Sequence, residues 1–117
     1  MNSERADEMR SDINEIENNE LPEETGIYML FNDAEQIYYL GTATDIRARI
    51  AGHRSKLLYH KHTNRMLQEL FDTSNVYVKV LTLLPHVSKK ELKRQELIIK
   101  DVLENVLNVP LINRKRR

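Results

Sequence analysis

Five side chains in this sequence of 117 residues fall where they could do chemistry together: two tyrosines, an arginine, a histidine and a glutamate. Tyr28 and Tyr39 lie in two runs rich in β-formers, Thr25 to Phe31 and Gln36 to Leu40, parted by the turn signal Asn32-Asp33-Ala34-Glu35. With Asp33-Ala34 at the tip of a hairpin, Tyr28 is expected opposite Tyr39 and Leu30 opposite Ile37. Directly opposed residues share a face of the sheet, so two phenols would stand side by side. Tyrosines also pack in strands as half-buried aromatics. A phenol with its usual pKa of about 10 acts as a base near neutral pH only where a cation or a second phenol stabilises its anion.

A helix is expected from Ile46 to about Leu57, capped by Asp45, with Ile46, Ile50 and Leu57 as its apolar row. Asp45, Arg49 and His53 are spaced four apart and share one face. A guanidinium there can hold two phosphate oxygens and neutralise the charge of a pentacoordinate transition state; the plain alternative is a solvated face with an Asp–Arg pair. Farther on, Leu92, Glu96, Ile99 and Leu103 recur at helical spacing, which sets a carboxylate in an apolar row. That is costly unless the carboxylate is paired or binds a cation. An oxygen-ligated Mg²⁺ explains it, and so does a position at the edge of the row beside Lys93 or Lys100.

These residues need a scaffold. Thr63 or Asn64 caps a second helix with Met66, Leu67, Leu70 and Phe71 inward; Val76 to Leu84 alternates as a third strand; Ser88 to Glu91 is a capping box opening a long helix to about Val106. Tyr38 points to the face opposite Tyr39 and is packing. The order β-β-α-α-β-α predicts an α+β fold, a small sandwich whose three-stranded antiparallel sheet is flanked by helices. Residues 1–24 precede it as an acidic N-terminal helix or arm, 25–114 form the domain, and 115–117 are a basic tail.

The ordered set resembles a known family. Gly26-Ile27-Tyr28, then Tyr39-Leu40-Gly41 with its tyrosine eleven residues on, is similar to the two signatures that name the GIY-YIG nucleases, with leucine at the middle of the second. Arg49 follows Tyr39 by ten residues and His53 follows Arg49 by four; Glu96 in the last long helix and Asn113 near the C-terminus continue the pattern. His62 resembles a further histidine of phage homing endonucleases of this type. The likeness spans about residues 25–114. It implies hydrolysis of a DNA phosphodiester, by nicking or double-strand cleavage, with Mg²⁺ or Mn²⁺ as cofactor. Tyr28 and Tyr39 would line the site, one of them activating water, and the resemblance does not choose between them. Arg49 would stabilise the phosphate, His53 assist proton transfer or orient a tyrosine, Glu96 be the single protein ligand to the metal, and Asn113 support the site by hydrogen bonding. Gly41, without a Cβ, permits close approach of backbone or substrate, and Gly26 completes the first signature.

Charge fits a DNA partner once its distribution is considered. The net charge is zero, yet residues 1–25 carry −7 and residues 26–117 carry +7. A basic body suits phosphate, each contact releasing a condensed counterion. Arg47, Arg54, Lys56, Lys61 and Arg65 are candidates for non-specific DNA contacts, as is the tail from Arg114. The acidic arm either folds back on the basic cleft in place of DNA or packs Met9, Ile13 and Ile16 on the body. There is no Cys, no apolar run long enough for a membrane span and no leader-like segment, so a cytoplasmic, non-secreted protein is expected. It reads as a stand-alone catalytic cartridge, a monomer or weak dimer, or as one directed by a protein partner or targeting domain in trans. The alternatives are a structure-specific repair or recombination nuclease acting with a partner, and a non-catalytic nucleic-acid-binding adaptor.

Overall fold

A computed structural model describes residues 11–32 and 37–112. Seven regular elements carry the fold: β1 (Ser11–Asp12), β2 (Gly26–Asn32), β3 (Tyr38–Ala43), α1 (Ile46–Leu58), α2 (Arg65–Thr73), β4 (Val76–Leu83) and α3 (Lys89–Asp101). A five-residue π-helical turn, Val102–Val106, continues α3. Among the described residues, no helix is long and apolar enough to cross a membrane.

The sheet is antiparallel in the order β1-β4-β2-β3. β2 is central, and its first six residues are buried, as a strand covered on both faces requires. Its even and odd residues therefore feed two cores. Tyr28 and Leu30 join Ile46, Ile50 and Leu57 of α1 and Leu67 and Leu70 of α2. Ile27, Met29 and Phe31 face the other way, toward Leu92, Ile99 and Leu103 on the α3 side and Leu111 beyond it. Gly26 keeps the layers close: a Cβ there would lie 2.5 Å from the Thr82 carbonyl oxygen and 2.9 Å from Ile46 Cδ1. Met66, expected inward on α2, is exposed, and Phe71 is half-buried.

Three expectations are corrected. The sheet has four strands, not three, because Ser11 and Asp12 pair with Val78 and Tyr77 at the outer edge of β4. No α-helix forms over residues 11–20; a 3₁₀ turn, Asn18–Glu20, follows the short strand, while Met9 lies outside the described residues. Ile13, Ile16 and Leu21 still enter the first core. Two arginines of α1 secure this segment: Arg54 Nη1 donates to the Ile13 and Ile16 carbonyls at 3.2 and 2.9 Å, and Arg47 Nε donates to the Leu21 carbonyl at 2.8 Å.

The third correction is the hairpin register. Tyr28 pairs with Gly41 and Leu30 with Tyr39, two residues from the expected pairing. β3 also runs through Gly41 to Ala43 instead of ending at it. A shift of two preserves the face, since side chains alternate with period two, so both tyrosines still belong to the α1 side. Sterics favour this register, because a glycine opposite Tyr28 leaves room for a phenol that a second tyrosine would fill.

Arg54→Ala is expected to lower unfolding free energy by about 1–3 kcal/mol, since it leaves two carbonyls of the N-terminal segment without their charged donor. Urea denaturation of wild type and variant measures this; an unchanged midpoint would show that the Arg54 hydrogen bonds do not stabilise the segment.

Candidate functional site

The site is built around the free edge of the sheet. On the edge strand β3, Tyr39, Gly41 and Ala43 point to the α1 side, and Leu40 and Thr42 point to the α3 side. Tyr28 belongs to the central strand, yet its ring reaches outward because Gly41 has no side chain. A Cβ at Gly41 would collide with Cζ and Oη of Tyr28. The close approach expected at Gly41 is thus made by the protein's own phenol.

α1 brings a histidine to meet that phenol. Asp45 caps the helix, its Oδ1 accepting from the Ala48 N–H at 3.0 Å. The buried row along the helix is Ile46, Ile50, His53 and Leu57. His53 sits within the apolar row, between Ile50 and Leu57, while Arg49 is exposed and Asp45 half-buried on the shared face. Tyr28 Oη and His53 Nε2 are 2.6 Å apart, His53 Nδ1 and His62 Nε2 are 2.8 Å apart, and the Asn64 N–H donates to His62 Nδ1 at 3.0 Å. The two imidazoles are nearly parallel at 13°, and the Tyr39 ring stands edge-on to both. The four rings form one cluster.

Burial sets the electrostatics. It pushes the Tyr28 phenol well above its ordinary range, helped by neighbouring Tyr39 and opposed by the charge and hydrogen bond of Arg49. Tyr39 is raised for the same first reason, with Arg49 again opposing. Burial lowers His53 to about 3, with His62, Arg49 and Lys56 adding to the effect. Burial and Lys56 also hold His62 below its usual value. Both histidines are therefore neutral at pH 7.

Two grooves meet at Arg49. The first, about 550 Å³, is lined by Tyr39, Arg49, His53, Lys56 and His62 among others. The second, about 310 Å³, runs on the α3 side past Thr42, Arg49, Lys89, Lys93 and Glu96. Ser88 Oγ caps α3 by accepting from the Glu91 N–H, as the capping box predicts. Glu96 lies in its inward row with a side chain only 16% exposed, and it pairs with Lys93 Nζ at 3.3 Å. Among the described residues, no group of three or more histidines and carboxylates could hold a metal ion. A metal at this site would take Glu96 as a lone protein carboxylate and draw its other ligands from water and phosphate, a coordination that suits Mg²⁺.

The predicted site residues separate into groups. Tyr28, Tyr39, Arg49, His53, His62 and Glu96 converge on the edge of β3. Asn113 and the tail from Arg114 lie outside the described residues, though the chain approaches the site just before them: the Tyr38 N–H donates to the Pro110 carbonyl and the Ile112 N–H to the Tyr38 carbonyl. Lys56, Lys61 and Arg65 are exposed. Arg47 and Arg54 are turned toward the N-terminal segment, with Arg47 also 3.5 Å from Glu23. Lys93 is paired with Glu96, as one reading of the sequence expected, but its place and that of Lys89 on the groove wall, and the role of Gln68, were not expected from the sequence. The lysines were legible as cations one turn apart on α3; Gln68 had no signal, because its role comes from the fold.

Known proteins give a consistent picture. A family model described as the GIY-YIG catalytic domain matches residues 24–108. A solved structure titled "Structure of the Catalytic Domain of Homing Endonuclease I-TevI" superimposes with a TM-score of 0.64 at 25% identity, covering 78% of this chain and 100% of that one. No curated protein matches the chain.

Protonation of His53 should be visible in stability. Its folded pKa is depressed from 6.5 to about 3, so between those values the unfolded chain binds the extra proton and stability falls as pH falls. Melting temperature against pH is therefore expected to be steeper for wild type than for His53→Gln over that window. Parallel curves would contradict a buried neutral His53.

Proposed function

The chain belongs to the GIY-YIG family of nuclease domains, and from that premise we propose that its site hydrolyses a DNA phosphodiester bond with one divalent ion, Mg²⁺ or Mn²⁺, taken by Glu96. The observation that carries this reading is the convergence on Arg49 of two grooves, one holding the tyrosine–histidine cluster and the other holding Glu96. Glu96 suits such an ion: it is a hard oxygen donor, largely shielded, on a groove wall. Bound there, the ion supplies Lewis-acid polarisation of the phosphate and stabilises charge on the leaving 3′ oxygen.

The protein's own groups do the rest. Arg49 is exposed at the junction and presents donors that can span two phosphate oxygens, offsetting the charge that grows in the transition state. Tyr39 faces the first groove, where its oxygen can receive a proton from a water poised for attack, with Tyr28 behind it. Both phenols are held high by burial, so the basic form depends on positive charge brought beside them, and Arg49 is the fixed part of that charge. His53 orients Tyr28. Asn113, outside the described residues, would support the site by hydrogen bonding, a role that rests on the family pattern alone.

Lys56 on one side of Arg49 and Lys89 and Lys93 on the other are placed for sequence-independent contacts to the DNA backbone. Lys61 and Arg65 extend that surface. These contacts read phosphate, not bases, so target choice rests on DNA shape or on a protein partner.

Supercoiled plasmid tests the proposal. Wild type is expected to nick it with Mg²⁺ or Mn²⁺ and not with EDTA, and Arg49→Ala or Glu96→Ala to lower the rate by roughly 100-fold or more. Equal residual nicking by wild type and Glu96→Ala would refute the enzyme. DNA binding without cleavage of duplex, branched or single-stranded substrates would identify a binding module instead.

A further inference from the structure

The hydrogen bonds behind Tyr28 have a direction, and the main chain sets it. A backbone N–H only donates, so His62 Nδ1, which meets the Asn64 N–H at 3.0 Å, is an acceptor. A neutral imidazole carries one ring proton, so that of His62 is on Nε2. This atom faces His53 Nδ1 at 2.8 Å and donates to it. The one ring proton of His53 is then on Nε2, 2.6 Å from Tyr28 Oη. We infer that the Asn64 amide fixes both histidines as Nε2–H tautomers, makes the Tyr28 oxygen the terminal acceptor of this chain, and relies on Gln68 as the positioning residue that keeps it aligned.

The reverse direction fails on proton count. If Tyr28 donated to His53 Nε2, His53 Nδ1–H would donate to His62 Nε2. His62, with both nitrogens accepting, would then have no proton at all and would be an anion. Adding a proton instead, to either ring, would set N–H against N–H at one of the two joints.

Gln68 holds the geometry. Its Oε1 accepts from the His62 N–H at 3.2 Å, and its Nε2 donates to the Leu57 carbonyl at 3.0 Å and to Asp72 Oδ1 at 3.1 Å. One side chain thus ties the loop bearing His62 to the end of α1 and to α2. Asn64 has a second duty as the cap of α2, its Oδ1 accepting from the Leu67 N–H at 3.0 Å. The cap and the amide that orients His62 belong to the same residue, so starting α2 correctly also aims the relay.

The consequence for chemistry rests on the nuclease reading; the hydrogen-bond direction does not. Tyr28 Oη receives the His53 N–H, and the positive charge of Arg49 beside it opposes the effect of burial. A hydrogen-bond donor and a neighbouring cation both stabilise the phenol's anion. The histidines hold Tyr28 as an acceptor and do not carry its proton away.

Nitrogen-15 NMR of the imidazole rings in the 117-residue chain tests this without any need for cleavage. At pH 7 both His53 and His62 are expected as Nε2–H tautomers; an Nδ1–H tautomer or a cation at either ring overturns the inference. Tyr28→Phe should leave both tautomers unchanged, because the direction is set from the Asn64 end. A change would show that Tyr28 sets it and would likewise overturn the inference. His62→Ala frees His53 Nδ1 and should give a tautomer mixture at His53; a pure Nε2–H form would exclude His62 as its donor. Gln68→Met should loosen the His62 tautomer and, in the plasmid assay, lower kcat by about 10-fold with KM little changed, the size of one lost hydrogen bond. A loss of melting temperature alone, with tautomers and kcat intact, would remove Gln68 from the positioning role. If the tautomers are as stated and no plasmid is cut, the relay stands and the nuclease reading fails.

Discussion

The packing of the Tyr28 phenol across Gly41, and its 2.6 Å hydrogen bond to His53, is the constraint on which the site depends. It needs a buried central strand to supply the tyrosine, an edge strand with no side chain at the crossing point, and a helix that buries a histidine in its apolar row. Each belongs to a different element, and this contact joins β2, β3 and α1 at the site. A Cβ at position 41 or a different hairpin register would separate the phenol from the imidazole. Overpacking of that kind in a filled core typically costs about 1–3 kcal/mol, and here it would also move a group at the centre of the proposed chemistry.

The edge of the sheet explains how groups from opposite layers share one centre. Arg49 comes from the helix over one face and Glu96 from the helix over the other, and an interior strand would keep them apart. Among the described residues β3 is the edge strand of the sheet, so side chains from both layers meet around it near Thr42 to Thr44. Exposed edges invite pairing with other chains. Here Tyr38 is covered by the C-terminal segment, which forms a parallel bridge through Leu111 and leaves the Gly41 end open to the grooves.

Much of this was legible in residue order. Helical periodicity gave α1 and α3, the caps at Asp45, Asn64 and Ser88 gave three helix starts, and the odd place of Glu96 in an apolar row marked it for scrutiny. His53 is just as oddly placed, between Ile50 and Leu57 in the apolar row, but its spacing from Arg49 pointed to the exposed face instead. The hairpin register was not legible, since it depends on the length and shape of a turn that composition alone does not fix. Nor was β1, because two polar residues carry no strand signal and pair only where β4 offers an edge. Arg47 and Arg54 read as DNA contacts by charge alone; their carbonyl partners lie 26 to 41 residues away in the chain, and only the fold brings them together.

The proposed reaction centre is marked by one shielded carboxylate, Glu96. The direct measurement is Mn²⁺ titration into the isotopically labelled chain, following paramagnetic broadening residue by residue. Broadening is expected to start around Glu96, Lys93, Thr42 and Arg49 and to be lost in Glu96→Ala. Broadening that starts instead at the acidic groove lined by Asp12, Glu15 and Glu20, unchanged by Glu96→Ala, would contradict it.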